Sequence, residues 1–133
     1  MKLLRSVASV LLSSIVVYGV VIVSYFVLTY FFPDQYAAGE ASRPFLLWIS
    51  TAMFALASIF AGWLCVRLAP FRRGGHLFVL FLLGELVGAY FAWQRWGQDW
   101  PHWHLLAGLM VWPACLWLGS LGKRSAPAPR FAT

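Results

Sequence analysis

Long uncharged apolar runs, separated by short polar stretches, set the pattern of this chain. Residues 6–32 and 44–66 carry no charged side chain. Residues 77–93 carry only Glu85, and residues 100–122 carry only the imidazoles of His102 and His104. A helix needs roughly 20 apolar residues to cross about 30 Å of hydrocarbon, and each run comes near that length or exceeds it. Without water at that depth, backbone N–H and C=O groups must be satisfied within the segment, which a helix does. The alternating strands of a membrane barrel, about ten residues each, are absent from the pattern. Four transmembrane helices are predicted, at about residues 4–32, 44–66, 76–93 and 100–121.

The interruptions fit this division. Pro33 and Asp34 stop the first helix, and a polar outer loop follows to Arg43. Pro44 opens the second helix, where its missing N–H costs nothing. Pro70 and the Gly74–Gly75 pair break the chain before the third. Asp99 suits the N-cap of the fourth, with Pro101 in its first turn. Short connections make successive helices antiparallel neighbours. Residues 1–122 then form one all-α domain, an antiparallel four-helix transmembrane bundle. Residues 123–133, with Pro127 and Pro129, read as a disordered basic tail. Lys2 and Arg5 ahead of an apolar run imitate a signal peptide. That run is far longer than the roughly 7–15 residues of such a segment, so an uncleaved helix is expected.

Composition agrees. Only 11% of the residues are charged and 62% are hydrophobic, against about 25% charged in soluble domains. The net charge of +6 is less telling than its placement. Lys2, Arg5, Arg67, Arg72, Arg73, Lys123, Arg124 and Arg130 fall on one side, with only Arg43 and Arg95 on the other. Under the positive-inside rule both ends of the chain face the cytoplasm. The basic balance is explained without nucleic acid, and attraction of the basic ends to anionic lipid follows from it. Tyr30, Trp48, Trp93, Trp96, Trp100 and Trp103 gather at the opposite face as an interfacial aromatic belt. Cys65 and Cys115 are not spaced for thiol–disulfide chemistry and read as small apolar residues.

Glu85 is the residue that composition leaves unexplained. A carboxylate at mid-bilayer costs a few kcal/mol and needs a partner, a proton or a purpose. At 100° per residue Ala92 lies about 20°, Ala89 about 40° and Gly88 about 60° from Glu85. This small-residue side, with the Gly84-x-x-x-Gly88 pair, is expected to be the helix-packing face, with Leu80, Leu83, Val87 and Tyr90 opposite. The carboxyl would then point into the bundle. Tyr18, Ser24, Ser58 and Trp112 are its candidate partners by depth. The Leu109 carbonyl, released by Pro113, is a possible acceptor. Helix one carries a serine stripe, Ser6, Ser9, Ser13 and Ser24, faced by Ala55, Ser58 and Gly62 of helix two. His102 and His104 are two apart, about 200° around a helix, and so do not share one ion. His76 reads as an interfacial residue. No catalytic constellation, metal set or cofactor motif converges, and an enzyme is not expected.

The segment Ala61-Gly62-Trp63-Leu64-Cys65-Val66-Arg67, closing the second helix, resembles that of uncharacterised small bacterial four-helix integral membrane proteins. The resemblance spans most of the chain and implies a fold and an inner (cytoplasmic) membrane location, but no activity. Likeness to small multidrug-resistance exporters fails on the first helix, which has no acidic residue. The expected function is that of a non-enzymatic accessory or scaffold subunit, partnered by the lipid bilayer and by a second copy or a larger membrane protein. The alternative is a small transporter or channel subunit with Glu85 as an intramembrane proton or cation site.

Overall fold

A computed structural model describes residues 2–37, 44–69, 73–98 and 100–122. Among the described residues the chain is helical and contains no strand: α1 (Lys2–Phe31), α2 (Pro33–Ala37), α3 (Pro44–Leu68), α4 (Arg73–Arg95) and α5 (His102–Ser120). All but α2 are long and apolar enough to cross a membrane.

The ends differ from expectation in three places. The chain leaves α1 at Phe32 and starts a new five-residue helix at Pro33. Proline ends one helix yet is preshaped for the first turn of the next, and Asp34 there suits its dipole. Gly74 and Gly75 do not break the chain. They lie in the first turn of α4, where the N–H groups have no intrahelical partner to lose. Helix α5 starts later than expected, with Pro101 as its N-cap in extended conformation and no side-chain cap. The expected cap Asp99 lies outside the described residues, as do the Arg43 end of the outer loop, Pro70, Arg72 and the expected tail at 123–133.

Helix α3 is the centre of the assembly. It packs most extensively on α5 and α1, while α4 leans on α5, α1 and α3 through smaller contacts. The common core joins Val10 and Val17 of α1, Ala61 and Cys65 of α3, Leu80 of α4, and Trp112 and Leu116 of α5. Leu80, expected on the far side of α4 from its packing face, is only 1% exposed. Large apolar side chains such as Leu56, Leu86 and Met110 stay exposed. That surface would be a liability in water and is what hydrocarbon demands.

Small residues decide how closely the helices approach. Ser9 and Ser13 have no exposed surface. Their hydroxyls donate back along α1, Ser9 to the Ser6 carbonyl at 2.8 Å and Ser13 to the Ser9 carbonyl at 2.7 Å. These two serines therefore satisfy themselves within α1 and act as a thin spacer, whereas Ser6 bonds His76 of α4 and Ser24 has no partner among the described residues. The α3 residues expected to match the stripe change roles. Ser58 is fully buried, Ala57 and Ala61 are buried, Ala55 is not, and Gly62 turns to α5. A Cβ on Gly62 would collide with the Leu116 backbone.

The two ends of the assembly have different chemistry. At one, Ser6 of α1 hydrogen-bonds His76 of α4, Gly122 lies against Trp63, and the Arg67 guanidinium sits 4.9 Å from the Trp63 ring centroid. At the other, Trp48 stacks on Trp103 at 5.2 Å and Thr51 bonds His104.

Candidate functional site

The site is built on α4. Its packed face is centred on Gly84 and Gly88, not on Glu85. Viewed down the helix, Leu77, Phe81, Gly84 and Gly88 form a half-buried band, bounded by the buried Leu80 and Ala92. Glu85 lies at the edge of this band, itself half-buried, with Leu82, Leu86 and Ala89 exposed on its other flank. The expectation that Glu85 points into the middle of the helices is corrected accordingly. Among the described residues neither carboxyl oxygen makes a hydrogen bond or ion pair.

Gly84 explains the offset. The indole of Trp112 lies directly against it, where any Cβ would enter the ring. From there Trp112 Nε1 donates to the Phe81 carbonyl at 3.1 Å. In an α-helix that carbonyl is also the acceptor for the backbone N–H of Glu85, and its second lone pair takes the indole. One turn on, a Cβ on Gly88 would lie 3.1 Å from the Leu109 side chain. The bulky partner on α5, rather than the small residues of α4 alone, sets which face is buried. Phe54 of α3 also stacks on Trp112, with centroids 5.9 Å apart, so three helices meet at this indole.

The four candidate partners of Glu85 are not assembled around it. Trp112 is committed to the Phe81 carbonyl and Ser58 donates to the Phe54 carbonyl at 2.7 Å. Tyr18 stands on the outside of α1 at 41% exposure. Ser24 is buried, and its hydroxyl has no hydrogen-bond partner among the described residues. Each hydroxyl or indole found a nearer acceptor in helical backbone, or none. Gly84, Gly88 and Ala92 do lie against the body of the protein.

Two polar contacts between helices were not read from the sequence. The Ser6–His76 pair joins α1 to α4 and leaves His76 only 7% exposed. The Thr51–His104 contact, 3.2 Å, joins α3 to α5. Both histidines sit near helix starts, where an interfacial role already accounted for them, so nothing local pointed to partners 70 and 53 residues away. His102 instead stacks on Trp96 at 4.4 Å, and Arg95 lies over Trp100 at 4.4 Å. Among the described residues no three His, Cys, Asp or Glu side chains gather as a metal set. Set against models of protein families, against curated proteins and against solved structures, the chain matches none.

Proposed function

We propose that this chain is an integral membrane protein of a bacterial inner membrane, acting as a non-enzymatic accessory or scaffold subunit. In this reading the long helices form an antiparallel bundle with both ends of this chain on the cytoplasmic side. The edge of α4 at Glu85 packs against a second copy or a larger membrane protein. One observation carries it: Glu85 stands half-buried at the edge of the packed face of an apolar helix, unpartnered among the described residues. A carboxyl so placed is costly against lipid and gains a hydrogen bond when another helix covers it. The orientation rests on charge: Arg5, Arg67 and Arg73 lie at the end where Ser6 meets His76, the side assigned to the cytoplasm by the positive-inside rule.

The test is extraction of the tagged protein in mild detergent, with its assembly size and co-purifying proteins compared between wild type and Glu85→Leu. A complex larger than one chain that dissociates in the variant, while helix content and thermal unfolding hold, is expected. A lone chain in both cases overturns the proposal. A proton or cation flux in liposomes that Glu85→Gln abolishes would instead assign Glu85 to transport.

A further inference from the structure

A groove of about 460 Å³ lies between α1 and α4, at the end where Ser6 meets His76. Its walls are Val7, Val10, Leu11 and Val79, and the Ser6–His76 pair supplies its polar edge. The volume falls within the roughly 300–1,000 Å³ of sites that take small molecules. We propose that this groove is a binding site for one anionic glycerophospholipid. Its acyl chain lies along the valines and Leu11, and its phosphate lies between Arg5, Arg73 and the Ser6–His76 pair.

Charge complementarity selects this occupant. Arg5 and Arg73 are exposed and stand one and three residues from the polar pair. The chain's acidic residues are Asp34, Glu40, Glu85 and Asp99. Among those described, Asp34 follows the far end of α1 and Glu85 lies about two and a half turns along α4 from His76, so neither reaches this end. Among the described residues no carboxylate supplies the counter-charge, and an anionic headgroup brings it attached to the apolar chain that the walls accommodate. Arginine suits a phosphate because its planar fork donates two parallel hydrogen bonds. Gly75 keeps the mouth open: a Cβ there would meet nothing within 4 Å. The site is independent of the role proposed for Glu85.

The test uses delipidated protein in detergent and native mass spectrometry. Phosphatidylglycerol is titrated against phosphatidylcholine of identical acyl chains. One phosphatidylglycerol should bind with roughly thirty-fold preference, at about fivefold per cation. Arg5→Gln/Arg73→Gln should bring the two lipids near parity. Gly75→Leu, which places a bulky side chain in the groove lining where a Cβ meets nothing within 4 Å, should remove the bound lipid of either kind while circular dichroism and thermal unfolding stay as in wild type. Arg67→Gln, at the same end but over Trp63 and outside the groove, should leave the preference intact. Equal binding of the two lipids by wild type overturns the site. So does full occupancy in Gly75→Leu, or a loss in Arg67→Gln as large as in the double variant, which would mean diffuse attraction to the basic end.

Discussion

Gly62 of α3 and Leu116 of α5 meet backbone to backbone, and three residues further along α5 the relation is reversed, with Gly119 against the carbonyl of Ile59. Each helix supplies a glycine where the other presents a carbonyl. Such reciprocal small-residue contacts let helices approach closely enough for dispersion and weak Cα–H···O contacts to hold them in lipid. Gly62→Val and Gly119→Val are expected to cost about 1–3 kcal/mol each, since a backbone carbonyl cannot swing aside. Gly108→Ala, where a Cβ meets nothing within 4 Å, should be neutral or mildly stabilising. Denaturation in mixed micelles measures all three. A Gly119→Val protein that unfolds like wild type would show that the α3–α5 contact is looser than described.

The indole of Trp112 and the bare backbone at Gly84 are one device, because the ring reaches the Phe81 carbonyl only where α4 lacks a side chain. Trp112→Phe should lose about 0.5–1.5 kcal/mol with the hydrogen bond. Gly84→Ala should cost more, because the ring has to move. Gly88→Ala should cost less, because its neighbour is the flexible end of Leu109. A double-mutant cycle of Gly84→Ala with Trp112→Phe is expected to show coupling of about 0.5–3 kcal/mol. Strict additivity would refute the shared role.

Ser24 is the buried hydroxyl without a partner among the described residues. Its replacement by alanine removes a desolvated polar group and leaves no broken bond behind, so stability should hold or rise by about 1 kcal/mol. The same change at Ser58, whose hydroxyl donates to the Phe54 carbonyl, should not stabilise. Thermal melts of the two variants side by side give the comparison. Marked destabilisation by Ser24→Ala would reveal a partner for that hydroxyl.

At the aromatic end, the one proton of Thr51 Oγ1 is committed to the Leu47 carbonyl at 2.8 Å. The 3.2 Å contact with His104 Nδ1 is then a bond in which the imidazole donates, which places the ring hydrogen on Nδ1 and leaves Nε2 as acceptor. Nitrogen-15 shifts of His104 should report the Nδ1–H tautomer, and Thr51→Val should return it to the usual mixture. An Nε2–H tautomer in wild type would contradict the assignment.

The spans were readable because lipid imposes a rule along the chain: charge is absent from whole segments, whatever those segments touch. Helix ends were less so. Gly74 and Gly75 look like breakers one by one, yet a first turn tolerates them. The face of α4 was half readable. Gly84, Gly88 and Ala92 do pack inward, as their size suggests, but centring the wheel on Glu85 misplaced the middle of that face and left Leu80 on the wrong side. What fixes the middle is Trp112, on the next helix and 28 residues beyond Gly84 in the chain, and periodicity within α4 carries no trace of it. The expected donors failed for a related reason. Depth matching says which residues share a level in the membrane, not which acceptor is nearer, and for Ser58 the nearer one was its own helix.

The closest helix pair has a consequence for biogenesis. Helices α3 and α5 are not neighbours in sequence, since α4 lies between them. As the chain is synthesised, α1 and α3 can settle against each other early, but the glycine face of α3 stays bare until α5 has emerged and returned past α4. A chain halted before α5 would leave that face open in the membrane, with Gly62 unfilled and Phe54 without its indole. Completion of the last helix is thus the step that turns a set of loosely joined helices into a closed protein.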